Sequence, residues 1–345
     1  MKKISYKPMF ASMLLALAGG HAARAAAPVY HLVDTLKLGG GVKWDYLHFD
    51  GPSARLYISH GTEVDVVDTK HLHVVGLLKG TIGSHGIAVD AVSGDVFADS
   101  AAKREAIAFD PKSFKPLAET PVVLDADGMA YDPASRRIYV VGGDGEAVTP
   151  IDAATKQAQP NIALGGSPEF LAADGAGSLY VNINDKNQMV RIDTATDKII
   201  ARWPLGSCVG PKGMAIDPAR RLVFASCANA VMVAVNADTG AIMATLPIGR
   251  GTDSAAFDPA SDLAFSANGD GSLSVISDAT GVPELLGSVK TMPGARTMAV
   301  DPATGRVFLV TARVTATTPA RGATGHPYYK FAPGSLELLV YALGA

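Results

Sequence analysis

The 345-residue chain is poor in cysteine and in tryptophan, with two of each, and only 18% of its residues are charged. Cys208 and Cys227 form no Cys-x-x-Cys-His run, which excludes covalent haem attachment, and no histidine is spaced from them as in a zinc knuckle. No glycine-rich phosphate loop follows a strand pattern and opens a helix, so a nucleotide cofactor is not expected. No Gly-x-Ser-x-Gly elbow occurs either, which removes the usual serine-hydrolase reading. Long apolar runs are absent as well. The one at residues 9–18 is too short to cross a bilayer.

That short run lies behind Lys2, Lys3 and Lys7 and ahead of Ala23-Arg24-Ala25. A basic start, an apolar stretch and a small-x-small site together read as a secretory signal over residues 1–25, with no membrane span after cleavage. Losing Lys2, Lys3, Lys7 and Arg24 and no acid takes the formal charge of the chain from −3 to −7. A nucleic-acid surface needs clustered Lys and Arg, so that partner class is not expected. A periplasmic or secreted location makes a Cys208–Cys227 disulfide the expected use of the two thiols.

With 48% hydrophobic residues, 36 Gly and 21 Pro, the composition suits many short strands joined by tight turns. The order of those strands is set by a repeat. An apolar stretch ends in Asp seven times, at Asp50, Asp90, Asp132, Asp174, Asp217, Asp258 and Asp301, a spacing of about 42 residues throughout. In the fourth copy, strands are predicted over residues 170–174, 178–182, 189–193 and 198–203. Turns such as Asp174-Gly175-Ala176-Gly177 and the recurrent Asp-Pro-Ala lie between strands. Ala stands two residues before the Asp in six copies (Ala88, Ala130, Ala172, Ala215, Ala256, Ala299), with His48 the exception. A small residue there is expected to let inner strands approach a central axis.

Four strands per repeat, stacked radially, leave only short protected edges. The last copy is one strand short, and residues 30–38, ahead of the first copy, can supply it. The expected fold is all-β: a seven-bladed β-propeller of four-stranded antiparallel blades. One domain spans residues 26–345, and its last blade is closed by the N-terminal strand.

Gly213-Met214-Ala215-Ile216-Asp217-Pro218, Arg137-Ile138-Tyr139-Val140-Val141 and Met189-Val190-Arg191-Ile192-Asp193-Thr194-Ala195-Thr196 resemble the YVTN-type repeats of YncE-like β-propeller proteins, over about residues 29–345. That resemblance implies an exported, seven-bladed protein and leaves a reaction unassigned. Trp44 and Trp203 are too few for the tryptophan docking of pyrroloquinoline quinone propellers, so that cofactor is not expected.

Five residues before each repeat Asp, at the predicted rim of the channel, stand Asp45, His85, Asp127, Glu169, Lys212, Asp253 and Arg296. All are ionisable in a chain with few charges, which marks the ring as the candidate site. Alternating signs allow a ring of salt bridges. Asp127 beside Glu169 breaks the alternation, and like charges raise a pKa or attract a cation. Second-strand ends add His60, Asn182, Asn184 and Asn268 as a polar tier to the same pocket. The pocket is expected to bind a small polar or anionic molecule through Lys212, Arg296 and His85, as a monomer.

Similarity in logic to six-bladed gluconolactonase-type propellers implies an alternative metal-dependent hydrolase. Glu169, Asn182 and Asp253 would then hold Ca²⁺ or Mg²⁺, and Asp127 or His85 would be the catalytic proton carrier. A scaffold for a periplasmic protein partner is the third reading. The insertion at 312–334 in the last blade reads as either a lid or a disordered loop.

Overall fold

In the computed structural model, which describes residues 1–2, 29–322 and 324–344, the chain folds into seven four-stranded antiparallel sheets. Six of the sheets run in sequence order from the axis outward. Blade 4 is Pro168–Ala173, Ser178–Ile183, Gln188–Asp193 and Lys198–Pro204, within two residues of the predicted strands. Residues 3–28, where the secretory signal is expected, lie outside the described residues. No helix among the described residues is long and apolar enough to cross a membrane.

The last blade closes the ring as expected. Its outer strand is Tyr30–Lys37, paired antiparallel with Tyr328–Leu343 from Tyr30 opposite Leu343 to Lys37 opposite Glu337. Its other two strands are Met298–Asp301 and Arg306–Thr318.

The repeat Asp is a turn device throughout. The Asp217 carboxylate accepts the Ala219 amide at 2.8 Å, Asp258 accepts Ala260 at 2.9 Å and Asp301 accepts Ala303 at 2.9 Å. Such local bonds satisfy backbone donors that a tight turn leaves free.

The recurrent Ala has a different reason from the one the sequence suggested. Each is the cross-strand partner of a fully buried aromatic on the second strand: Ala88 faces Phe97, Ala130 faces Tyr139, Ala172 faces Tyr180 and Ala215 faces Phe224. Ala256 with Phe265 and Ala299 with Phe308 repeat the pairing, and His48 faces Tyr57. A small residue beside a large one fills the layer without overpacking it. Each aromatic then packs into the face of the next blade, as Tyr139 does among Leu171, Leu179 and Val181.

Close approach at the axis falls instead on glycines that follow rim residues. A Cβ on Gly86 would sit 2.1 Å from the Asp127 carbonyl, and one on Gly213 would sit 2.6 Å from Ser254 backbone. Only glycine lets these inner strands meet.

The Cys208–Cys227 disulfide forms, with an S–S distance of 2.05 Å. Cys227 pairs with Pro211, so the bridge ties down the segment leading into Lys212. Closing a loop of 19 residues contributes about 3 kcal/mol by restricting the unfolded chain.

Ring closure by Tyr30–Lys37 sets a first prediction. Deleting residues 30–37 strips the partner from Tyr328–Leu343 and leaves a long unpaired edge. The expected outcome is loss of the single cooperative thermal transition and growth of oligomers by light scattering. A deletion variant that stays monomeric and melts like the parent would contradict it.

Candidate functional site

The loops into the seven inner strands converge on one face, and the predicted ring forms there. Asp45, His85, Asp127, Glu169, Lys212, Asp253 and Arg296 all line a single cavity of about 270 Å³. Its floor is Tyr46, 5% exposed, which meets Phe170 from across the axis with ring centroids 4.7 Å apart. The cavity is therefore a bowl over a blocked channel.

The charges pair in a regular way, each base with the acid of the preceding blade. His85 Nδ1 is 2.6 Å from Asp45 Oδ2, Lys212 Nζ 2.6 Å from Glu169 Oε1 and Arg296 Nε 2.9 Å from Asp253 Oδ2. Asp127 is the acid left over. Its nearest base is His85, whose Nδ1 lies 3.9 Å from Asp127 Oδ1.

The proton affinities follow from this arrangement. Burial pushes the Asp127 carboxyl well above the usual carboxylate range, and the negative charges of Asp45 and Glu169 push the same way. The like-charge effect read from the sequence is thus real but second to desolvation. The Asp45 hydrogen bond raises His85 to about 9, against the opposing effect of its own burial. Burial raises Asp253 to about 6 even though Arg296 pulls it down. Tyr46, enclosed and surrounded by carboxylates, is held well above the usual phenol value.

The second-strand polar tier does not line the bowl; Asn182 and Asn184, with Ser59 and Asp99, instead hold ring residues from behind. Asn182, fully buried, donates through Nδ2 to the Lys212 carbonyl at 2.8 Å and the Gly213 carbonyl at 3.3 Å. Ser59 donates to the His85 carbonyl at 2.6 Å, and Asp99 accepts the His85 and Gly86 amides at 2.7 and 2.8 Å. Burial raises Asp99 to about 8. Asn184 donates to Glu169 Oε2 at 3.4 Å, behind the ring. Asn268 is consumed by Ser266, Ser272 and Ser274 within its own blade.

His60 is also away from the bowl. Its Nδ1 meets Asp65 at 2.9 Å and its Nε2 meets the Gly41 carbonyl at 3.0 Å. Only a doubly protonated imidazole donates at both positions, consistent with its raised pKa, whose first cause is the Asp65 hydrogen bond.

The residues suggested as metal ligands are therefore not brought together as a set. Glu169 and Asp253 each face a cation, and Asn182 serves the backbone. A different trio is close enough to share an ion. One ligand atom from each of Asp45, His85 and Asp127 lies within 4.8 Å of the others.

The insertion is neither a structureless loop nor detached. Strand pairing continues along it to Thr318 opposite Tyr328, so it is a hairpin, and its tip brings Thr324 and His326 to the bowl. The hairpin is seated by glycines: a Cβ at Gly251 would meet His326 Cβ at 2.9 Å, and one at Gly294 would meet Phe331 Cζ at 2.7 Å. The sequence marks His326 as part of an insertion on the rim face, whereas it does not single out Tyr46 or Thr324. Position next to Asp45 was the one available signal for Tyr46.

No family model and no curated protein matches the chain. Solved structures do. A chain from Kuenenia stuttgartiensis hydrazine synthase is similar with TM-score 0.69 and 12% identity, over 87% of this chain and 97% of that one. The U3-55K structure gives TM-score 0.74 and 8% identity, over 90% of this chain and 99% of that one. The WD40 repeats of RRP9 give TM-score 0.74 and 9% identity, over 91% and 98%. At such identities the likeness carries the propeller fold and nothing finer.

The raised pKa values set the pH dependence of stability. A folded-state His85 value of about 9, above the ordinary 6.5, stabilises the fold fully below pH 6.5 and is lost as pH rises through 9. Asp253 at about 6 and Asp99 at about 8 also hold protons more tightly when folded, so they act in the same direction from about pH 4 upward. The melting temperature is expected to fall between pH 6 and pH 9. His85→Asn should flatten that fall by about 1 kcal/mol, after the screening due to a side chain 38% exposed. Equal slopes in the variant and the parent would show that His85 contributes none of it.

Proposed function

We propose that the protein is an exported YncE-like propeller that binds a small polar or anionic ligand in the bowl at its channel mouth. The observation that carries this reading is the convergence of all seven rim side chains, three of them basic, on one floored cavity. Lys212, Arg296 and His85 would meet the anionic group by charge-assisted hydrogen bonds, releasing their carboxylate partners to water or to the ligand's donors. Asp127, whose hold on a proton is strengthened by burial and its acidic neighbours, would add a neutral donor once protonated. The Cys208–Cys227 bridge is in keeping with an oxidising compartment.

The test is thermal stabilisation by small carboxylates. Lys212→Gln and Arg296→Gln are each expected to reduce the shift at a fixed carboxylate concentration by more than half, with the fold intact by circular dichroism. Full retention of the shift in both variants would end the reading.

A second reading is favoured by the proximity of Asp45, His85 and Asp127. One imidazole and two carboxylates would balance a divalent ion's charge, and the bowl would leave positions for water or a carbonyl, as metal-assisted hydrolysis requires. In that case the metal site differs from the Glu169, Asn182 and Asp253 set. Elemental analysis should then find about one divalent ion per chain in the parent and none in Asp127→Asn. A parent free of metal, with a melting temperature indifferent to added Zn²⁺, Mn²⁺, Mg²⁺ or Ca²⁺, would reject it.

A further inference from the structure

Beside the bowl lies a second cavity of about 330 Å³, between the insertion hairpin and the rim of blades 1, 6 and 7. The two adjoin, since Asp45, His85, Gly251, Arg296 and His326 line both. Their walls differ in chemistry. The cleft is walled by Trp44, Tyr328, Tyr329 and Phe331, with Trp44 edge-on to Phe331 at 4.9 Å and His326 tilted over Tyr328 at 4.6 Å. Tyr328 remains 65% exposed, a large aromatic face held at the opening by a paired strand.

Charge and hydrogen-bonding capacity narrow the ligand further. The cleft carries Lys43, His85 and Arg296; at its inner end His85 and Arg296 are paired with Asp45 and Asp253, and Lys43 adds a further positive charge to the wall. Arg296 is the most open of the rim bases, with 42% of its side chain exposed against 29% for Lys212. Among the described residues, no Asn, Gln, Ser or Thr side chain lines the cleft, so a polyhydroxylated ligand would find few partners for its hydroxyls. Flat aromatic walls with a cationic end suit a planar ring that bears an acid.

We infer that the ligand is an aromatic carboxylate, its ring laid against the wall that Trp44 and Tyr328 contribute and its carboxylate turned inward onto Arg296 and His85. The inference rests on the bowl being a ligand site and adds the class of ligand. The volume accommodates one or two fused rings. The hairpin takes part as a fixed wall, since His326 and Phe331 lie against Gly251 and Gly294, where a side chain would displace them.

Isothermal titration of the mature chain with 2-naphthoate, benzoate, acetate and gluconate tests this. The expected order is 2-naphthoate, then benzoate, with acetate and gluconate at least about tenfold weaker than benzoate. Arg296→Gln should weaken every carboxylate by about tenfold, whereas Tyr328→Ala, at an exposed position that folding does not need, should weaken only the two aromatic acids. Quenching of Trp44 fluorescence by 2-naphthoate should disappear in Trp44→Phe. If gluconate or acetate binds as tightly as the aromatic acids, the aromatic inference is overturned and the small-anion reading of the bowl survives. If none of the four binds, both are overturned.

Discussion

The structure depends on one repeated packing event: a large aromatic on the second strand of each blade, set against Ala or His on the first, is pressed into the face of the blade that follows. Tyr57, Phe97, Tyr139, Tyr180, Phe224, Phe265 and Phe308 are each fully buried. Burying a side chain of this size removes more apolar surface from water than any other single event in the blade, about 150–250 Å² each. Because the contact always runs from one blade to the next, no blade completes its own core. Stability belongs to the ring, and the rim residues inherit fixed positions from it. A rim side chain five residues before the repeat Asp has little freedom to move once the inner strand is placed.

An odd number of blades has an electrostatic result. Bases that pair with the acid of the preceding blade use rim positions two at a time, so seven positions leave one over. Here it is Asp127, and burial together with the neighbouring carboxylates raises its proton affinity well above that usual for its kind. The three pairs rigidify the mouth while the unpaired member keeps the bowl chemically unbalanced. Neutralisation in this ring is therefore a matter of parity as well as composition.

The parts of the molecule that were legible from the chain were those written seven times. The spacing of the repeat Asp placed the blades, and the position five residues earlier placed the whole ring. Elements that occur once left little trace. The residues directly after the rim positions are Tyr46, Gly86, Gly128, Phe170, Gly213, Ser254 and Thr297, too varied to show that Tyr46 and Phe170 would meet across the axis. The insertion had no counterpart in other blades, so its strand pairing could not be read by analogy. Asn182 lies behind the mouth, and Ser59 holds the His85 carbonyl from a similar depth. Their burial depends on which backbone carbonyls the next blade presents, and that is a tertiary fact. The recurrent Ala was seen but misattributed, because its partner sits on another strand at a distance that varies by a residue in blade 4.

The pairing of Tyr30 with Leu343 joins the two ends of the described chain in one sheet. Inner blades can form as soon as about 42 residues and their neighbour are available, but the seventh cannot: its outermost strand precedes the other six blades in sequence and its third follows them. Contacts of such sequence separation are slow to form. Until they do, six assembled blades present an open side at each end, a surface suited to a chaperone or to another unfinished copy. The same strand that gives the finished ring its closure thus makes the seventh blade wait for both sides of the repeat array.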